Sequence, residues 1–169
     1  DYIQPIENEH KVFGCDLWVE VRGISLPGRL GCSEEVDVML VLDRSLSISD
    51  ADLATMKTAA HAFVTALAPD GGPHMGQVTF APTATLDQHL TGVKADIDAA
   101  IDTATTTGGF STNLEAGIVT AAGELAPHAH ERDAVPDFMI IITDGAPNTS
   151  SGSDPFADAK AAADAAKAA

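Results

Sequence analysis

Basic residues are scarce. Lysine and arginine together number 9 against 25 aspartates and glutamates, for a net charge of −16. The few bases are scattered, so no patch could neutralise a run of phosphates, and nucleic acid is not expected as a partner. An acidic surface also disfavours anionic membranes, and it suits solubility or cation binding. Long apolar runs are missing too. None approaches the ~20 residues that a membrane-spanning helix needs, so no membrane insertion is expected of this chain. Cysteine is limited to Cys15 and Cys32. Two thiols fall short of a four-ligand zinc site. They are either a disulfide stapling a short flap, as secreted proteins use, or two separate thiols, and spacing alone leaves both open. No GxxxxGK[ST] phosphate loop and no G-x-S-x-G nucleophile turn occurs. The first residue is Asp1 and no signal-peptide pattern follows, so the expectation is a mature or partial polypeptide with any signal or anchor outside it.

What is present divides in two. Residues 1–35 read as an N-terminal extension, with two short strands expected. Within them "DLWVEVRGI" alternates apolar and polar residues, "LPGRLG" is a turn, and Trp18 is expected to pack the extension onto the rest. From Val36 strands and helices alternate. "VDVMLVL" is almost wholly apolar, as a parallel strand covered on both faces must be. In "DADLATMKTAAHAFVTAL", Leu53, Met56, Ala60, Phe63, Val64 and Leu67 recur at helical spacing. "PDGGPHMG" reads as a loop. "QVTFAP" and "ATLDQHL" read as an antiparallel edge hairpin turning at Pro82 and Thr83. Two helical segments follow, the first with Ile97, Ala100, Ile101 and Ala104 on one face, the second with Leu114, Ile118 and Leu125. "DFMIIITD" is a second buried strand, and Asp154 with Pro155 opens a last, alanine-rich helix. This order implies an α/β fold: an open, mainly parallel, Rossmann-like sheet with helices on both faces. Ligands of such sheets bind beyond the carboxyl ends of the strands.

Three segments deliver oxygen side chains to that edge. "DRSLS" carries Asp43, Ser45 and Ser47 at every second position, and in an extended chain these point one way. "TTTGGFSTN" carries Thr112 before a helix, with Thr105, Thr106 and Thr107 as rivals. "ITDGAPN" carries Asp144. Two carboxylates and three hydroxyls form a hard, all-oxygen set suited to Mg²⁺, Mn²⁺ or Ca²⁺ rather than zinc or copper. The bland alternatives are a helix cap for the serines, which Ser49 or Asp50 could supply equally well, and an Asp-Gly turn for Asp144. His128 and His130 in "HAH" have no third partner evident and read as a solvated connector; His61 reads as an ordinary helix residue.

The five positions Asp43, Ser45, Ser47, Thr112 and Asp144, in this order and these contexts, resemble the metal-ion-dependent adhesion site of the von Willebrand factor type A (VWA) domain. The resemblance covers residues 36–169. It implies that the serines ligate the metal directly, that Thr112, Asp43 and Asp144 do so directly or through water, and that a partner's carboxylate completes the shell. Leu46 departs from the glycine frequent between the serines, narrowing the approach or lending it an apolar rim. The family fold continues with two more strands and a helix, so "DFMIIIT" is expected at an uncovered edge of a sheet lacking its last strands. The expected function is an extracellular or cell-surface adhesion module that binds a protein or glycan ligand through Mg²⁺ as part of a larger surface assembly. A structural filament subunit, or an intracellular assembly subunit working with a separate ATPase, are the alternatives. An enzyme is not expected: phosphoryl-transfer folds with a nucleophilic aspartate place a second acid where Ser45 stands.

Overall fold

A computed structural model describes residues 35–67, 72–106, 109–127, 130–132 and 135–168. The N-terminal extension, both cysteines, Trp18, Thr107 and His128 lie outside the described residues. Four strands, β1 (Asp37–Asp43), β2 (His74–Phe80), β3 (Ala84–Thr91) and β4 (Asp137–Ile142), form one sheet in the order β3-β2-β1-β4. β1 pairs in parallel with both β2 and β4, and β2 pairs antiparallel with β3. The helices are α1 (Asp50–Leu67), α2 (Lys94–Thr103), α3 (Leu114–Glu124) and α4 (Pro155–Ala168).

β1 is buried along its whole length because helices cover both of its faces. Side chains alternate sides along a strand. Val38 and Leu40 pack with Ala60 and Val64 of α1 and Ile97 and Ile101 of α2. Met39 and Val41 pack on the other face with Val78, Phe80 and Ala121 of α3. Leu42 closes the first face against Ile48, Leu53 and Met56. The helical spacing read in α1 is thus the stripe that meets the sheet. The hairpin also forms where expected, although β2 begins at His74, inside the segment read as a loop. The parallel ladder reaches that far back, with His74 N–H donating to the Val36 carbonyl (2.9 Å).

Gly76 in β2 permits this pairing, since a Cβ there would stand 2.9 Å from the Gln88 carbonyl oxygen of β3. Asp154 caps α4 as expected, its Oδ1 accepting from Ala157 N–H at 3.1 Å. β4 stands at an edge, with Phe138 to Ile142 only half-buried. Among the described residues no further strand pairs with it, which is the edge position that the family resemblance implied.

Candidate metal site

β1 ends at Asp43, and here the structure corrects an expectation. Residues 45–48 are not extended. They form a turn closed by Ile48 N–H donating to the Ser45 carbonyl (3.0 Å). The oxygens still converge, because the turn folds the chain back over the strand end. Ser45 N–H donates to Asp43 Oδ1 (2.8 Å), and the Ser45 and Ser47 hydroxyls lie 2.9 Å apart. Ser47 Oγ donates to Asp144 Oδ1 at 3.0 Å, and Thr112 Oγ1 to Ser45 Oγ at 3.2 Å. All five residues singled out in the sequence therefore join one connected set. Asp43 and Ser45 are buried (0% and 1% exposed) and Thr112 nearly so, whereas Ser47 and Asp144 are open to solvent.

The helix-cap alternative for the serines is answered by their neighbour. Ser49 and Asp52 form a reciprocal box at the start of α1, with Asp52 N–H donating to Ser49 Oγ (3.2 Å) and Ser49 Oγ to Asp52 Oδ2 (2.6 Å). Ser45 and Ser47 are not needed for that work. Thr106, a rival for Thr112, donates instead to Asp50 Oδ1 (2.9 Å), away from the serines.

Two residues that sequence reasoning missed position this set. Thr143 Oγ1 donates to Asp43 Oδ2 at 2.6 Å, fixing the second oxygen of the buried carboxylate. Asn148 holds Thr112 by both backbone groups: Thr112 N–H donates to Asn148 Oδ1 (2.8 Å) and Asn148 N–H to the Thr112 carbonyl (3.1 Å). The available signal was their place within "ITDGAPN", flanking Asp144. The middle loop is tied in by Leu46 N–H donating to the Gly109 carbonyl (3.0 Å) and Asn113 N–H to the Ala81 carbonyl (2.8 Å). Gly109 has φ +100°, and a Cβ there would meet Pro82 Cγ at 2.8 Å, so glycine is required. Leu46, between the two serines, and Phe110, two residues before Thr112, are exposed apolar side chains (46% and 88%) on the loops that carry the polar set.

The donor chemistry fits a hard divalent cation. Two carboxylates offset the charge, and the hydroxyls are neutral oxygen donors already gathered within hydrogen-bonding distance of one another. Such a set can hold a cation by its inner oxygens and leave the solvent side open. Among the described residues a second, chemically different cluster occurs elsewhere, where His89, Glu124 and His130 bring donor atoms within 4.8 Å of one another.

Comparison with known proteins follows the same lines. The von Willebrand factor type A domain profile matches residues 37–169. A search of curated protein sequences finds no match. Among solved structures, proximal thread matrix protein 1 from the mussel byssus superposes with a TM-score of 0.67 at 22% identity, over 80% of this chain and 36% of that one. Another structure of that mussel protein, described as having a zinc-occupied MIDAS motif, gives a TM-score of 0.55 at 26% identity, over 65% of this chain and 28% of that one. The vWF domain of the type V pili tip protein Mfa5 from Porphyromonas gingivalis gives 0.54 at 19% identity, over 63% and 36%. This chain spans about a third of the length of these structures.

Proposed function

The chain belongs to the von Willebrand factor type A domain family, and on that premise we propose that residues 36–169 are a divalent-metal-dependent adhesion module, with residues 1–35 an extension to it. The carrying observation is the continuous set of hydrogen bonds from Asp43 through Ser45 and Ser47 to Asp144, with Thr112 joined at Ser45. In this reading Asp43, Ser45, Ser47, Thr112 and Asp144 hold Mg²⁺, with Mn²⁺ or Ca²⁺ as substitutes. The cation supplies a Lewis-acidic position that a ligand carboxylate can take. The protein does the rest. Thr143 and Ser45 N–H orient the Asp43 carboxylate, Asn148 fixes Thr112, and the exposed Asp144 and Ser47 face the approaching ligand. Leu46 and Phe110 give that ligand an apolar contact beside its acid, so a protein segment or glycan pairing a carboxylate with an apolar group fits best.

The module binds rather than catalyses. Its setting is extracellular or at a cell surface, within a larger assembly. A structural variant, in which the cation only braces the loops of a filament subunit, draws support from the byssal thread and pili tip neighbours.

Calorimetric titration of Mg²⁺ and Mn²⁺ into wild type, Asp43→Ala and Asp144→Ala tests the reading. One-site binding, abolished in both variants while their circular dichroism is unchanged, is expected. A folded wild type that binds neither ion would refute it. Metal binding without any metal-dependent binding of carboxylate ligands would favour the structural variant.

A further inference from the structure

We propose that His89, Glu124 and His130 form a second metal site, selective for a zinc-class transition ion, at the end of the sheet opposite the oxygen set. Glu124 is the last residue of α3, 3% exposed. A buried carboxylate at a helix C-terminus is doubly unfavourable, since burial penalises its charge and the helix dipole is negative there. It calls for positive charge, and two imidazoles frame it. His89 Nδ1 lies 3.0 and 3.1 Å from the two Glu124 oxygens, and His130 Nδ1 lies 3.7 Å from Oε1. The two rings stand with centroids 4.3 Å apart, tilted by 34°.

These distances suit a shared cation. Donors about 2.0–2.1 Å from a tetrahedral zinc stand roughly 3.3 Å from one another. Two imidazole nitrogens and one carboxylate are a borderline-soft set that favours zinc over Mg²⁺ or Ca²⁺. Three protein ligands leave a fourth position for water, and the way in is open, because the His89 and His130 side chains are 55% and 45% exposed.

The supports that metal ligands need are also in place. Leu90 N–H donates to Glu124 Oε1 at 2.9 Å and fixes the carboxylate. Two residues beyond His130, Arg132 pins the connector to the start of β1 through Asp37 and the Val36 and Gly72 carbonyls.

The test uses the untagged chain. Zn²⁺ is titrated calorimetrically, and Co²⁺ by its visible absorption, in excess Mg²⁺ to keep the oxygen set filled. Wild type, His89→Ala, His130→Ala and Asp144→Ala are compared. Both histidines are half-exposed, so their variants should fold, as circular dichroism would verify. One equivalent of zinc is expected in wild type and in Asp144→Ala, with affinity at least about tenfold weaker in each histidine variant. Zinc binding unchanged in both histidine variants would overturn the proposal. So would zinc binding that disappears with Asp144→Ala, or a wild type that takes up no zinc, which would leave an ion pair only.

Discussion

Replacing Arg132 by methionine should be among the most damaging single changes outside the apolar core. Asp37 is fully buried (0% exposed) at the start of β1, and Arg132, 21% exposed, is its counter-charge. The guanidinium donates twice to Asp37 Oδ1, from Nε at 2.9 Å and Nη2 at 2.6 Å. It also donates to the Gly72 carbonyl at 3.1 Å and the Val36 carbonyl at 2.9 Å. Methionine keeps the stem and removes all four bonds. The Arg132 backbone N–H, at 3.1 Å from Oδ2, would still serve the carboxylate. Stranding one member of a buried pair costs about 3–5 kcal/mol, and the partial exposure of Arg132 argues for the lower end. With a urea m-value of ~2 kcal/mol/M, the unfolding midpoint should fall by roughly 1.5–2 M at constant m.

The partner experiment gives the reasoning its edge. In Asp37→Leu/Arg132→Met no charge is left buried, and the Val36 carbonyl still accepts from His74 N–H at 2.9 Å. The double variant should therefore recover most of the loss, because apolar replacement of a whole buried pair is often neutral. A single variant losing less than ~1 kcal/mol would mean that the pair behaves as a surface bridge. A double variant as unstable as the single would place the loss in the missing guanidinium bonds to the Gly72 and Val36 carbonyls rather than in a stranded charge. Either result refutes the argument.

Three further outcomes follow from the same structure. At free Mg²⁺ 100-fold above its dissociation constant, wild type should gain ~2.7 kcal/mol over its stability in chelator. Asp144→Ala should lose that gain while staying within about 0.5 kcal/mol of wild type in chelator, since Asp144 is exposed, as paired urea melts would show. Gly76→Ala should cost about 1–3 kcal/mol by overpacking, because its Cβ would stand 2.5 Å from Met39 Sδ and 2.9 Å from the Gln88 carbonyl; an unchanged midpoint would show that the hairpin gives way freely. Asp137 has its pKa raised to about 6, first by desolvation, then by Asp37 opposite it in the β1–β4 ladder and by Glu131. A raised acid contributes stability fully below its unfolded pKa of 3.8 and loses it as pH rises through about 6. Asp137→Asn should thus stabilise the protein at pH 8 but not at pH 4. The shift alone would give about 3 kcal/mol, which screening at this exposed position reduces to ~1 kcal/mol. An equal gain at both pH values would show that charge is not the cause.

Local pattern carried most of the fold. The bounds of α1 and the edge hairpin were readable because period and turn chemistry act within a few residues. The five oxygen residues were readable because each sits at a strand or helix end that topology sends to one edge of the sheet. Sequence spacing misled on how they meet. Extended alternation after Asp43 was the expectation, and a Ser45–Ile48 turn does the work. The other important contacts join residues far apart in the chain. Arg132 and Asp37 are 95 positions apart, and His89 and Glu124 are 35 apart. Their meeting depends on strand order and register, which no local pattern states. His130 was noticed without a third partner in view, because that partner is a glutamate whose burial only the packing of α3 on the sheet reveals.

α3 relates the two proposed sites. Thr112 lies just before its first turn, capped by Asn113, whose Oδ1 accepts from Ala116 N–H at 3.0 Å, and Glu124 is its last residue. Eleven residues at ~1.5 Å each separate its ends by about 16 Å, beyond the ~8 Å Debye length at physiological ionic strength. Direct repulsion between two bound cations is therefore small. The donor sets also differ in kind, oxygen only at one end and imidazole with carboxylate at the other, so the two proposed sites should differ in their ion preference. The two sites should then fill independently. Any measured coupling would have to travel through a shift of α3 on the sheet. Gly117 bears on that path, because a Cβ there would meet Phe80 at 3.0 Å and Val41 at 3.1 Å. So tight a seat leaves the helix little room to slide, which is a physical reason to expect two separate sites rather than a relay.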